Sequence, residues 1–414
     1  MVALAVLLTG LLAGLSMQTD GVDIFGDTSA GGVLFSSGGG GVAVAVIMAS
    51  TIAMTVRRRI VLAGLAIAAA VVAGVTALLM PSDLAEVIAG GVLLGCTAVR
   101  ANGSRIRQAL LIGSFLLGLL SAGAVEALQY PDIPRRYADY LTESDIGTPV
   151  VVPVLCVLVV LTVALAARVD HADDYPSPDS NIRTVGAILL IAVGGLLLNL
   201  LFLHDVFRGG FGFEGRWYFG LLTVPVLFGA AALLPGRGGV SVLVGAAVLL
   251  TSTTTAGVGI DVSDRAWTLG LVALTAASVA AGAALGLRWG RPLIGFVVLA
   301  VVCATALFES EPLDNVNYVA SLVIFPAAAA YLYVACSPAG PTSASPAAAT
   351  LGLAVPVAIT VPIVVSYGWT AYTPLTSAIT GPRTDLWLST GAAVVTVVLA
   401  GVGTWVLGRR TLPN

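Results

Sequence analysis

The chain has 414 residues, of which 58% are hydrophobic and only 10% charged, with a formal net charge of −3. A soluble domain carries about 25% charged residues, so composition excludes a water-soluble fold and makes lipid the solvent. The negative balance argues against a nucleic-acid partner. All 19 basic residues are arginine, and the abundance of Ala, Gly and Val fits a bacterial origin.

A spanning helix needs about 20 apolar residues. Fourteen segments qualify in chain order: 2–18, 32–55, 60–80, 84–99, 108–128, 148–167, 184–203, 217–235, 238–257, 266–287, 293–308, 318–336, 347–368 and 386–407. The first, MVALAVLLTGLLAGLSMQ, lacks a basic start and a small-residue cleavage site, so it reads as a spanning helix and not a signal peptide. The fourth and eleventh are short, which leaves a tilted, irregular or re-entrant path open for them. The expected fold is all-α and polytopic.

Charge asymmetry tests this map, because cytoplasmic loops are enriched in basic residues. With the N-terminus inside, the inner loops hold Arg57, Arg58, Arg59, Arg100, Arg105, Arg107, Arg168, Arg183, Arg237, Arg288, Arg291, Arg409 and Arg410, which is 13 of the 19. Losing one helix would invert every later loop and scramble that separation. The pattern favours an even count with both termini cytoplasmic, in a bacterial cytoplasmic membrane.

The longest inner loop, ARVDHADDYPSPDSNIR at 167–183, is acidic and proline-bearing, as a linker between bundles should be. Six helices precede it and eight follow. The expected units are a six-helix bundle at 1–168, a cytoplasmic linker at 169–183, an inserted helix pair at 184–235 and a six-helix bundle at 238–410.

Six helices, a polar inner linker and further helices resemble the major facilitator superfamily, and the count resembles its fourteen-helix drug:proton antiporter branch. Residues 184–235, containing GGLLLNLLFLHDVFRGGFGFEGRWYFGLL, look like that branch's inserted pair. ALLMPSDLAEVIAGGVLLG at 77–95 resembles the superfamily's turn from third to fourth helix. TVRRRIVLAG at 55–64 occupies the place of its basic inner loop, with Arg57, Arg58 and Arg59 as the arginine-rich end. Two departures stand out. ASTIAM, which precedes that loop, lacks the family's acid. GSFLLGLLSAGAVEAL keeps Gly113, Gly118 and Gly123 but lacks the Gly-Pro ending of the antiporter motif. The resemblance implies a secondary transporter working by alternating access, with export as the direction.

A charge inside hydrocarbon costs about 2.5–3.5 kcal/mol on insertion scales, so intramembrane ionisable residues are functional candidates by default. Glu126, near the outer end of the fifth segment, suits a proton-coupling carboxylate, against the plainer reading of a side chain reaching the headgroups. Asp20 and Asp23, with Asp27, follow the first segment, at a cavity mouth or in a solvated loop. Asp83 and Glu86 open the fourth segment, where acids complement a helix N-terminus. Asn199 reads first as an amide bonding between helices and second as a transport contact. The hydroxyl run TSTTTAG at 251–257 reads as packing. The tetrad Gly38–Gly41 reads as a close approach or a flexible element.

The cysteines Cys96, Cys156, Cys303 and Cys336 lie in or at the ends of apolar runs without Cys-x-x-Cys spacing, and read as small buried hydrophobes. His171 and His204 have no partner at metal-ligand or triad spacing, and no Walker-type loop is present. The sequence points to no catalytic residue, metal or cofactor; a proton gradient is the driving force the resemblance implies. The expected function is export of a small apolar or amphipathic molecule, with the lipid bilayer and that substrate as partners. Three alternatives compete. A polytopic glycosyltransferase would cluster outer acids at a lipid-facing groove. A lipid flippase would carry a large polar cavity. A non-catalytic membrane subunit would show no cavity and an unpaired apolar flank.

Overall fold

The computed structural model describes residues 1–18, 30–79, 83–129, 150–169, 182–208, 218–234, 238–255, 265–308, 313–337, 345–359 and 384–410. Each of the fourteen expected segments coincides with a helical element. They are α1 (Val2–Met17), α2 (Ala30–Phe35, Ser37–Gly41 and Val42–Thr55), α3 (Arg59–Leu79), α4 (Asp83–Ala101), α5 (Arg105–Gln129), α6 (Val151–Val169) and α7 (Ile182–Arg208). There follow α8 (Tyr218–Leu221 and Thr223–Leu233), α9 (Gly238–Thr255), α10 (Arg265–Trp289), α11 (Pro292–Thr305), α12 (Asp314–Val319, Ala320–Ile324 and Phe325–Cys336), α13 (Pro346–Ala358) and α14 (Thr384–Arg410). Among the described residues ten are long and apolar enough to cross a membrane; α1, α8, α11 and α13 are shorter there. Lipid offers the backbone no hydrogen bonds, which is why so apolar a chain resolves into helices.

The fourth segment is fuller than its apolar run, because Asp83 and Glu86 fill its first turn and Arg100 its last, charges that suit the two ends of a helix dipole. The eleventh stays short at 14 residues, about 21 Å at 1.5 Å per residue.

The helix pairings repeat. In the first half α1 packs against α5, α2 against α4, and α3 against α6. In the second half α9 packs against α13, α10 against α12, and α11 against α14. Eight positions later in helix order, every partner recurs, so the fold is two six-helix bundles with the pair α7–α8 between them. The pair rests on α2, α9 and α13. The bundles meet along two seams, α5 on α10 and α2 on α13.

Association between helices in lipid has no hydrophobic drive and depends on close packing of small residues. Equivalent contacts in both bundles use this device. A Cβ on Gly14 of α1 would stand 2.2 Å from the Phe115 carbonyl oxygen of α5, and one on Gly245 of α9 would stand 2.4 Å from the Gly352 carbonyl oxygen of α13. Gly91 and Gly95, one turn apart on α4, lie against the backbone of Ala45 and Ala49 on α2. Gly282 and Gly286 of α10 lie against Ala327 and Tyr331 of α12 in the same way.

The tetrad Gly38–Gly41 forms a π-helical turn, Ser37–Gly41, inside α2. The Ser36 hydroxyl donates to the Val33 carbonyl (2.9 Å) and accepts from the Gly39 N–H (3.1 Å). A Cβ on Gly40 would stand 1.9 Å from the Leu34 carbonyl oxygen, so the chain can approach itself this closely only with glycine there.

Tryptophans mark the bilayer. Trp267 and Trp289, 50% and 61% exposed, flank α10, 22 residues apart in sequence. That separation spans about 33 Å along a helix, close to the thickness of a hydrocarbon core. Trp387 and Trp405 play the same part on α14, where the Arg409 guanidinium lies 3.7 Å over the Trp405 ring. Such amphipathic rings favour the headgroup level.

Candidate functional site

Charges divide between the two ends of the structure. The end formed by the α2–α3, α4–α5 and α10–α11 turns carries Arg57, Arg58, Arg100, Arg105, Arg107, Arg288 and Arg291; the opposite end carries Asp83, Glu86 and Glu126 together with Arg208 and Arg265.

At the arginine-rich end a cavity of about 60 Å³ opens between the bundles. Its first wall is the α4–α5 turn, where Gly103 takes φ 81° and lets the chain reverse in a few residues. The Asn102 N–H donates to the Ala98 carbonyl (3.1 Å), and the Gln108 N–H to the Ser104 carbonyl (2.9 Å). Those bonds fix the backbone on both sides of the turn, and Asn102 and Gln108 are among the residues that line the cavity. The opposing wall comes from the α9 start, the α12 end and the α13 start, including Ser241, Tyr333, Ser337 and Ser345. Their hydroxyls are largely committed to backbone. Ser241 Oγ lies 2.5 Å from the Ala348 carbonyl oxygen, Tyr333 Oη donates to the Gly352 carbonyl (2.7 Å), and Ser337 Oγ donates to the Tyr333 carbonyl (3.1 Å). Asn102 Oδ1 and Gln108 Oε1 are buried with no hydrogen-bond partner among the described residues. Among those residues no charged side chain lines the cavity.

Beside it runs a polar clasp across the α5–α10 seam. Arg105, first residue of α5, donates from Nη2 to the Gly286 carbonyl in the last turn of α10 (3.4 Å), a favourable place for a cation. Gly290 follows α10 at φ 52°, and a Cβ there would meet Arg105 Nη2 at 3.3 Å. Tyr331 Oη accepts from the Arg291 N–H (3.2 Å) and donates to the Arg291 carbonyl (3.0 Å), tying this turn to α12.

Of the three arginines expected in the basic loop, Arg57 donates back to the Ala53 and Met54 carbonyls and closes the end of α2; burial lowers its pKa. Arg58 follows it, and Arg59 begins α3. Asn199, 3% exposed, donates from Nδ2 of α7 to the Gly38 carbonyl at the π turn (3.2 Å). That is the helix-to-helix amide bond expected of it, aimed at a carbonyl where the regular helical ladder is interrupted. Glu126 lies exposed near the end of α5. Asp20 and Asp23, with Asp27 and His171, fall outside the described residues. His204 is exposed near the end of α7. The hydroxyls of Thr251, Ser252, Thr253, Thr254 and Thr255 all donate to carbonyls three or four residues back on α9, as packing residues do. Among the described residues no group of three His, Cys, Asp or Glu is placed to hold a metal.

Two features take on a part that the sequence did not show. Glu86, half-buried in the first turn of α4, accepts from the Ser16 hydroxyl of α1 (3.3 Å). Its position opening a helix gave only the dipole reading; the serine 70 residues away was not legible as a partner. Asn102 and Gln108 flank a short turn between two apolar runs, and that polar but uncharged pair was the available signal.

No protein-family model matches the sequence, and no curated protein matches it. Solved structures do. The partially occluded inward-open xylose transporter XylE from E. coli superposes with a TM-score of 0.51 at 15% identity, covering 100% of this chain and 99% of that one. XylE bound to 6-bromo-6-deoxy-D-glucose, described as a major facilitator superfamily proton:xylose symporter, gives a TM-score of 0.50 at 16% identity over 98% of this chain and 95% of that one. At this identity the likeness establishes a shared fold: the chain is a multi-pass, all-helical membrane protein with the major facilitator architecture.

Proposed function

We propose that the chain is a secondary transporter of the major facilitator superfamily, working by alternating access between its two bundles. The observation that carries the reading is the repeated pairing of six helices on either side of two seams. It makes each bundle a unit able to rock against the other. The proposed units are residues 1–168 and 238–410, joined through the linker 169–183 and the pair 184–235. Among the described residues the pair rests against the α2–α13 seam.

The substrate in this proposal is a small uncharged molecule, apolar or amphipathic, because no charged side chain among the described residues lines the cavity at the seam. The proposed membrane is the bacterial cytoplasmic membrane, with the arginine-rich end and both termini inside, and the proposed direction is export. A proton gradient is the proposed driving force and no cofactor takes part. Glu86 stands ahead of Glu126 as the coupling carboxylate, since it is half-buried between helices and has the Ser16 hydroxyl to steady either protonation state. Asp20, Asp23 and Asn199 remain secondary candidates for the pathway.

The test is flux in proteoliposomes holding the full chain, with an imposed pH gradient and a panel of radiolabelled uncharged amphiphiles and sugars, xylose included. Gradient-dependent movement that stops when Ile106→Cys and Trp289→Cys are cross-linked across the seam supports the proposal. Flux no faster than in protein-free liposomes for every compound overturns it.

A further inference from the structure

We infer that the inserted pair α7–α8 is a strap that belongs to the second bundle and is fastened to the first by one releasable catch, the hydrogen bond from Asn199 to the Gly38 carbonyl. The inference rests on the transporter reading, because a catch matters only if the bundles part. The attachment to the second bundle is short and close. Three residues, 235–237, separate the described end of α8 from α9, whereas 170–181 separate α6 from α7. A Cβ on Gly239 of α9 would run into the Ala231 carbonyl oxygen of α8, and one on Gly195 of α7 into the Ala358 carbonyl oxygen of α13. Backbones packed that closely at small residues are how helices hold together in lipid.

The hold on the first bundle is of another kind. One turn beyond Gly195 on α7, the buried Asn199 donates from Nδ2 to the Gly38 carbonyl of α2 (3.2 Å). That carbonyl lies in the π turn. The Val42 N–H bonds to the carbonyls of Ser37 and Gly39 on either side of it, and Ser36 braces the turn through Val33 and Gly39. A single turn of α7 therefore touches both bundles: Gly195 reaches α13 and Asn199 reaches α2. Both contacts lie in the half of the α2–α13 seam away from the arginine-rich turns, since Gly38 stands near the start of α2 and the α2–α3 turn follows its end. When that half parts, one of the two contacts must be given up. The backbone contact stays with α13, so the amide bond is the one that opens. Water entering the parted seam then hydrates the amide, which spares it the cost of a buried group left unpaired and keeps the release reversible.

The catch is fastened in the arrangement whose cavity lies between the bundles at the arginine-rich end. It therefore favours closure of the opposite end, because an interaction present in one arrangement and absent from the other shifts the population toward the first. An interhelical amide bond of ordinary strength in a membrane sets that ratio by about 3- to 30-fold.

Electron–electron double resonance on the full chain in liposomes, with and without a pH gradient, tests the inference. Nitroxides at Gly123→Cys and Trp267→Cys read the end of the α5–α10 seam opposite the arginines; those at Ile106→Cys and Trp289→Cys read the arginine-rich end. Cys336→Ala is carried throughout, since the other three cysteines are buried. All four label sites lie on the other seam, so local repacking around the strap does not move them. Asn199→Leu is expected to raise the ratio of long to short distances between 123 and 267 about 3- to 30-fold, with the distance between 106 and 289 shortening in step. Ser36→Ala loosens the π turn on the far side of the bond without altering α7, and is expected to shift both pairs in the same sense. Gly239→Ala crowds the permanent attachment instead; it is expected to lower the SDS fraction at which the chain unfolds and to leave both distances as in the parent. Parent distances that respond to the gradient, with none of that shift in Asn199→Leu or Ser36→Ala, overturn the catch and leave the transporter reading standing. An equal shift in Gly239→Ala overturns it too. One narrow distance at each end in the parent and every variant, with or without the gradient, overturns the transporter reading and the catch with it.

Discussion

Gly14→Ala adds a single methyl group in the middle of the α1–α5 contact. Its Cβ would lie 2.2 Å from the Phe115 carbonyl oxygen and 2.9 Å from the Leu119 nitrogen, both backbone atoms that no rotamer change can move. Ordinary contact needs about 3.4 Å or more, so α1 and α5 must separate by about 1 Å. A gap of that size forfeits a quarter to a half of the dispersion well for each pair of atoms along the interface. Overpacking of this kind costs about 1–3 kcal/mol, and in lipid no hydrophobic term offsets it. Gly123→Ala is the matched control on α5, because nothing lies within 4 Å of its Cβ. There the substitution gains up to about 1 kcal/mol of helix propensity or is neutral. SDS titration of the full chain in mixed micelles, followed by circular dichroism, reads both. Gly14→Ala is expected to unfold at a clearly lower SDS fraction than Gly123→Ala. Equal unfolding of the two would refute the claim that close backbone contact at glycine builds the bundles.

Asn199→Leu removes the donor to the Gly38 carbonyl and is expected to lower stability by about 0.6–2 kcal/mol, the range for interhelical hydrogen bonds in membranes; the same titration checks it. Gly290→Ala forces a side chain into positive φ at a cost of about 1 kcal/mol and crowds Arg105, so cross-linking between cysteines at 106 and 289 should become slower. Glu86→Gln keeps an acceptor for Ser16 and is expected to abolish gradient-driven flux while leaving expression and counterflow intact; unchanged driven flux would remove Glu86 from coupling.

The membrane class and helix map were legible because lipid imposes one requirement on every segment, a run of apolar residues long enough to cross. The arginines pointed to an even count for a related reason, since each loop must alternate sides. Shorter elements exposed the limits of that reading. A hydropathy run cannot show the π turn in α2, which depends on Ser36 bonding to Val33 and Gly39. Nor can it show that the last turn of α10 receives Arg105 from 181 residues away. Asn199 was legible as an interhelical amide, because a buried amide in lipid must find a partner, but which helix supplied the carbonyl was set by topology. The cavity was the least legible feature. Its walls come from five helices in two bundles, so no single stretch of sequence carries it.

Spin labels report the relation of the bundles most directly. One pair, at Ile106 and Trp289, spans the α5–α10 seam at the arginine-rich end; the other, at Gly123 and Trp267, spans it at the opposite end. Alternating access requires two populations for each pair, with the first distance lengthening as the second shortens when the pH gradient or a ligand is changed. A single narrow distance at both ends under every condition would mean the bundles do not rock, and the transporter reading would fall with it.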